Sequence, residues 1–204
     1  VTESQQKSDA PRQDPNGLHP CRWSEQDLQA KCRWTFSRAS GPGGQNRNKV
    51  ETCASVEFLP TKDIARASEA RTQGENRKVA LHRLRCKLAV DFRPQGKSEK
   101  CPPEQSKQSG THDVIPNGMD QNVPAVWKQY CRNGRLQISE NNWDWPCLLS
   151  ILLDTLAHQD WDVPAASIIL EVSSSQLIKL LKKEPLALIR LNEQRATRGK
   201  HELR

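Results

Sequence analysis

Polar residues fill the first twenty positions, with Pro11, Pro15 and Pro20 among them, and no apolar spacing marks a face there; the pattern predicts a disordered arm over 1–20. Order begins at Ser24-Glu25-Gln26-Asp27, a capping-box pattern that opens a short helix with Leu28 and Cys32 on one side. Trp34 to Ser37 reads as a strand. After a glycine-rich stretch, Val50, Thr52, Ala54, Val56 and Phe58 alternate with the period of a half-buried strand, which Leu59-Pro60-Thr61 ends. Ile64, Arg66, Ser68 and Ala70 predict a third strand. Thr72-Gln73-Gly74-Glu75 is a second capping box, introducing a helix to about Phe92. Its apolar face is Leu81, Leu84, Leu88 and Phe92, with Arg77, Lys78, Arg83, Arg85 and Lys87 on or flanking the other side.

Beyond Arg93 the periodicity stops. Pro94, Pro102, Pro103 and Pro116 stand among Gly, Ser, Gln and Lys, so 94–122 reads as a flexible linker. The chain then changes character. Trp143, Trp145, Leu148, Leu149, Leu152, Leu153 and Leu156 suit a buried helix. Ala165 to Leu170, Gln176 to Leu181 and Leu186 to Leu191 suit three shorter ones, broken at Ser173–Ser175 and Pro185. The predicted fold class is α+β: a small α/β domain over 21–93 followed by a small all-helical domain over 123–204.

Charge sharpens this division. The formal charge is +7, and 1–93 carries 17 basic against 11 acidic residues, while 94–122 carries 3 against 4. A second basic concentration lies at 173–204, with 8 against 3. An anionic partner fits that balance, as do ordinary solvated lysine and arginine faces. The seven cysteines are odd in number, form no Cys-x-x-Cys and pair with no histidine at zinc spacing, so reduced thiols are expected and no metal or other cofactor. The longest apolar run, near Leu148 to Leu153, is too short to span a bilayer, and the N-terminus lacks the pattern of a secretory signal; a cytoplasmic protein with no membrane contact is expected.

The stretch richest in chemistry is Ser40-Gly41-Pro42-Gly43-Gly44-Gln45-Asn46-Arg47-Asn48-Lys49. Three glycines and a proline in four residues force a loop with little side-chain bulk, and Gln45 follows beside two cations. Such a loop suits entry into a crowded anionic cleft. An ordinary glycine turn or a phosphate-binding loop has the same composition, although no Gly-Lys-Ser/Thr follows, which excludes a Walker loop.

Further motifs surround it in a fixed order. Gly41-Pro42-Gly43-Gly44-Gln45 is followed by Asn48-Lys49, then Pro60-Thr61, then Arg71-Thr72-Gln73 with Asn76, Ala80 and Leu81. In this, residues 36–92 resemble the catalytic, Gly-Gly-Gln domain of class I peptide-chain release factors and ribosome-rescue hydrolases. The resemblance implies that Gly43, Gly44 and Gln45 are catalytic: the loop enters the peptidyl-transferase centre, the Gln45 backbone N–H stabilises the oxyanion as water attacks the peptidyl-tRNA ester, and its side-chain amide orients that water. It also implies the ribosome as partner, through large-subunit RNA and P-site peptidyl-tRNA. Arg47, Asn48, Lys49, Arg71, Gln73, Asn76, Arg77, Lys78 and Arg83 then become candidate RNA contacts. The pattern departs from the family in three places. Arg47 stands where many members are apolar, Lys62-Asp63 interrupts the usual Pro-Thr-Gly-Ile turn, and Thr72 replaces serine.

About 40 residues precede Gly41, and no Pro-x-Thr or Ser-Pro-Phe tripeptide of the codon-reading kind is present. Codon-independent rescue of stalled ribosomes is therefore the expectation, with a non-catalytic RNA-binding or regulatory protein of the same fold as the alternative. The C-terminal helices are expected to contact RNA or protein. Ala165-Ala166 through Leu170 and Gln176 to Leu181, joined through Glu171 and a serine-rich turn, have a faint helix-turn-helix look.

Overall fold

The computed structural model describes residues 19–38, 49–92 and 124–203. The expected arm over most of 1–20, the whole linker at 94–122, and Gly43, Gly44, Gln45, Arg47 and Asn48 lie outside the described residues.

A single turn of 3₁₀ helix at Pro20–Arg22 leads to α1 (Glu25–Ala30), whose cap Ser24 accepts from the Asp27 N–H. Three antiparallel strands follow in spatial order β1 (Cys32–Ser37), β2 (Cys53–Phe58), β3 (Asp63–Ala67). Their register pairs Trp34 with Val56 and Val56 with Ala65. One face of the sheet, bearing Ala54, Val56, Phe58, Ala65 and Ala67, is buried against α2 (Gln73–Asp91) and its Ala80, Leu81, Leu84 and Leu88. Each such leucine contributes roughly 1.5–3 kcal/mol by leaving water.

The third strand is turned over relative to the alternation seen in the sequence. Ile64 is 56% exposed and Arg66 is exposed, while Ala65 and Ala67 face the helix. Close approach of α2 needs small side chains there, so alanine, not isoleucine, points inward. Between β2 and β3 the chain turns at Lys62 with φ 62°, left-handed backbone at the position where the release-factor pattern has glycine. The Lys62 N–H closes the turn on the Phe58 carbonyl at 2.8 Å.

Among the described residues, 124–203 are helical apart from one small hairpin: α3 (Ala125–Tyr130), β4 (Cys131–Arg132), β5 (Arg135–Leu136), α4 (Trp145–His158), α5 (Val163–Ile169), α6 (Ser174–Lys183) and α7 (Pro185–Ala196). Helix α4 is apolar nearly all round and is the centre of a second core built with Trp127, Trp161, Leu177 and Leu191. Ser173 caps α6 instead of merely breaking the chain, and Pro185 occupies the first turn of α7, where its missing N–H costs nothing.

The second core reaches across to α2 through Ala89, Val90 and Cys21. Arg85 holds this seam. Although placed by periodicity near the solvent side of α2, it is 3% exposed. Its guanidinium donates twice to the Cys21 carbonyl, at 2.6 and 3.2 Å, once to the Trp143 carbonyl at 2.6 Å, and lies 4.1 Å over the Trp143 ring. Arg22 bridges onward to Ser150 at 3.4 Å and Asp154 at 3.8 Å. The basic C-terminus is likewise folded in: Arg195 donates to the Trp161 carbonyl at 2.9 Å, and Arg198 and Lys200 pair with Asp160 at 2.6 and 3.4 Å. No helix among the described residues is long and apolar enough to cross a membrane.

Candidate functional site

Strands β1 and β2 are antiparallel neighbours, yet 15 residues, 38–52, connect them where a tight hairpin would use two to five. The last register pair before this excursion is Ser37 with Cys53. The chain re-enters through Lys49 and Val50, both exposed, and the Thr52 N–H bonds the Val50 carbonyl at 3.0 Å.

The first turn of α2 clamps that exit. Thr72 caps the helix, its hydroxyl accepting from the Glu75 N–H at 3.2 Å and donating to the Glu75 carboxylate at 2.9 Å. Gln73 Nε2 donates to the Glu51 carbonyl at 3.1 Å. Asn76 is fully buried, and its amide ties three backbone groups: Nδ2 donates to the Thr52 carbonyl at 2.7 Å and the Ala70 carbonyl at 3.0 Å, and Oδ1 accepts from the Ala70 N–H at 2.9 Å. Two donors and an acceptor on one short planar group are what this junction of loop exit, turn and helix requires, and asparagine supplies them.

The expected RNA contacts thus separate into groups. Lys49, Arg71 and Lys78 are exposed, and their side chains make no hydrogen bond or ion pair among the described residues. Gln73 and Asn76 are engaged with the protein's own backbone, which makes them supports of the loop stem. Arg77 donates to Gln29 at 2.6 Å and lies 4.8 Å over the Trp34 ring. Arg83 sits further along α2, donating to the Arg66 carbonyl at 2.8 Å and pairing with Glu69 at 2.7 Å. That hydrogen bond from Arg83 holds the Glu69 carboxyl below its usual range. Arg71, Arg77 and Lys78 gather at the N-terminal end of α2, and Arg83 does not join them.

Sequence reasoning passed over the Trp34 and Phe36 side chains beside this cluster. Their rings stack on the edge strand with centroids 6.1 Å apart and an interplanar angle of 5°, and the Arg77 guanidinium lies over the Trp34 ring. The signal available was their alternation with Arg33 and Thr35.

A groove of about 450 Å³ lies between β3, α2 and the start of α7, lined by Ile64, Val79, His82, Cys86, Glu140 and Glu184 among others. Burial pushes the Cys86 thiol up to about 12, so the thiolate is scarce at neutral pH. Among the described residues no group of three His, Cys, Asp or Glu side chains could hold a metal ion.

Comparison with known proteins agrees with this arrangement. Residues 25–123 match the RF-1 domain family. Peptide chain release factor PrfB1, chloroplastic, of Arabidopsis thaliana is 48% identical over 56 residues, 28% of this chain and 12% of its own length. Peptide chain release factor 1 of Symbiobacterium thermophilum is 40% identical over 63 residues (31% and 18%), and that of Streptococcus pneumoniae 41% over 69 residues (33% and 19%). The matches therefore span less than a fifth of each relative's length. The segment 25–123, which holds both the 38–52 connection and its clamp, is thus similar to the RF-1 domain of class I peptide-chain release factors.

Proposed function

We propose that this protein promotes ribosome-dependent hydrolysis of the peptidyl-tRNA ester, releasing nascent peptide from stalled ribosomes without reading a stop codon. The observation that carries the reading is the position of Gly41-Pro42-Gly43-Gly44-Gln45. The motif falls inside the RF-1 match, on the long connection between paired strands whose exit Gln73 and Asn76 secure.

Gln45 has no proton that titrates in the physiological range, so it acts by hydrogen bonding and not as a general base. Water adds to the ester carbonyl, the Gln45 backbone N–H stabilises the oxyanion, and the bond to the ribose 3′ oxygen breaks as that oxygen takes up a proton. Gly43 and Gly44 let the backbone come close to RNA. Ribosomal RNA and the P-site tRNA are the partners; Lys49, Arg71 and Lys78, with Arg47 and Asn48 on the loop, contact them mainly at phosphates, and Arg77 and Arg83 give up internal bonds to do so. Action is cytoplasmic and needs no cofactor. The protein alone leaves free peptidyl-tRNA intact.

The test is peptide release from ribosomes stalled on a truncated message. Gln45→Pro removes the backbone N–H and lowers the rate roughly 10²–10³-fold, as loss of an oxyanion donor does elsewhere; Gln45→Ala keeps that N–H and loses less. Equal release by all three proteins, or binding without release by any, replaces the hydrolase with a non-catalytic RNA-binding protein. Release that requires a stop codon in the A site replaces rescue with codon-directed termination.

A further inference from the structure

The helical part carries a basic surface for which the loop chemistry has no use. Strands β4 and β5 are joined by Asn133-Gly134, whose φ values of 50° and 68° belong to the two-residue turn that asparagine-glycine favours. That turn sets Arg132 directly opposite Arg135, and both are exposed. Like charges across a strand pair repel. Neither guanidinium has a hydrogen bond or carboxylate partner among the described residues. A local conflict of this kind is expected where an outside anion resolves it.

The hairpin sits on a helix-turn-helix. Helices α5 and α6 are joined by 170–173, with Glu171 at φ 54°. The inward positions Ala166, Leu170, Val172, Leu177 and Leu180 are all at most 5% exposed. This leaves Ser175, Lys179 and Lys182 as an exposed outward stripe at i, i+4 and i+7, about 10 Å long. Helix α6 contains no acidic residue, and its two outward lysines have no partner among the described residues. Hairpin and turn form one surface: a Cβ on Gly134 would stand 3.9 Å from the Glu171 carbonyl, and the Trp127 indole N–H donates to the Leu170 carbonyl at 3.0 Å. Exposed Glu171 offsets part of the charge.

We propose that Arg132, Arg135, Lys179 and Lys182, with the Ser175 hydroxyl, dock the sugar–phosphate backbone of double-helical RNA, a second contact separate from the 38–52 loop. Double-helical RNA keeps its base edges in a deep, narrow major groove that side chains cannot read, so recognition by these cations is by phosphate, 2′-hydroxyl and shape. The choice of RNA over DNA rests on the release-factor reading; the charge arrangement does not depend on it.

The test uses the full chain and a fluorescent 20-base-pair RNA hairpin, with anisotropy measured between 50 and 200 mM KCl. Arg132→Gln/Arg135→Gln and Lys179→Gln/Lys182→Gln are each expected to weaken binding roughly tenfold and to reduce the log–log salt slope by about 2, with unchanged melting temperature. Affinity and slope equal to wild type in both variants overturn the proposal, as does tighter binding of a single strand. Tighter binding of a DNA duplex of the same sequence overturns the RNA assignment. Gln45→Pro is the control that separates this surface from the hydrolase: it binds the hairpin as wild type does. Loss of ribosomal release in wild type with these binding effects intact defeats only the hydrolase reading, and normal release with unaffected binding defeats only this one.

Discussion

Asn76 is where strand, turn and helix are tied together, and its replacement has a calculable cost. Asn76→Ala removes three hydrogen bonds and leaves the Thr52 carbonyl and both Ala70 backbone groups without that partner. At about 1 kcal/mol net for each bond the loss is roughly 3 kcal/mol, more if the freed groups stay dry. For a chain of this size that lowers the melting temperature by roughly 6–12 °C. Asn76→Asp is the sharper probe. It keeps an acceptor for the Ala70 N–H but sets a carboxylate oxygen near the Thr52 oxygen, now 2.7 Å from Nδ2. At neutral pH it is expected to be less stable than the alanine variant despite its matching shape. Acidification that protonates the new carboxyl restores one donor and narrows the difference. Urea unfolding at pH 7 and pH 5 measures both effects, and amide exchange at Thr52 and Ala70 localises them. An alanine variant within 1 kcal/mol of wild type, or an aspartate variant more stable than alanine at pH 7, refutes the clamp.

Arg85→Met exchanges three bonds to carbonyls and a ring contact for an apolar chain of similar length. A loss of about 2–4 kcal/mol is expected in urea titration, and Arg85→Lys, with no planar fork to reach Cys21 and Trp143 together, recovers less than half. Lys62→Gly removes left-handed strain of roughly 1–2 kcal/mol, partly offset by unfolded-chain entropy, so a small rise in melting temperature is expected. Burial pushes the Cys21 thiol, like that of Cys86, up to about 12; both are expected to resist alkylation at pH 8 until the protein unfolds, which mass spectrometry of the labelled sites reads directly. Burial also lowers the His82 pKa from its ordinary 6.5, so the folded state takes up its proton less readily than the unfolded chain does. Stability from this group is present above pH 6.5 and is lost as pH falls below it towards the depressed value. Glu184, raised by burial and by Glu140, runs the opposite way, so the His82 part is obtained as wild type minus His82→Gln across pH 7 to 5.

Where one periodicity had one partner, the sequence was legible. The alternation at Ala54, Val56 and Phe58, the Thr72 cap and the apolar run around α4 all reappear in the structure. Strand β3 was not, because Ile64 outweighs Ala65 and Ala67 on any hydropathy scale, while the space under α2 rewards smallness. Arg85 was read as a flanking cation because helix periodicity knows nothing of the His19 to Arg22 segment that returns across it. The β4–β5 hairpin is too short to alternate; its one readable signal was Asn133-Gly134. Gly43-Gly44-Gln45 was legible as a motif, through its order with Asn48-Lys49, Pro60-Thr61 and Arg71-Thr72-Gln73, and not through any periodicity.

The seam at Arg85 bears on how the chain comes apart. Cys21, Ala89 and Val90 belong to the helical core, while Ala80 and Leu84 of the same helix α2 belong to the sheet. Neither core can melt and leave α2 intact for the other, so heating should give one calorimetric transition whose measured and van't Hoff enthalpies agree, with no half-folded plateau between.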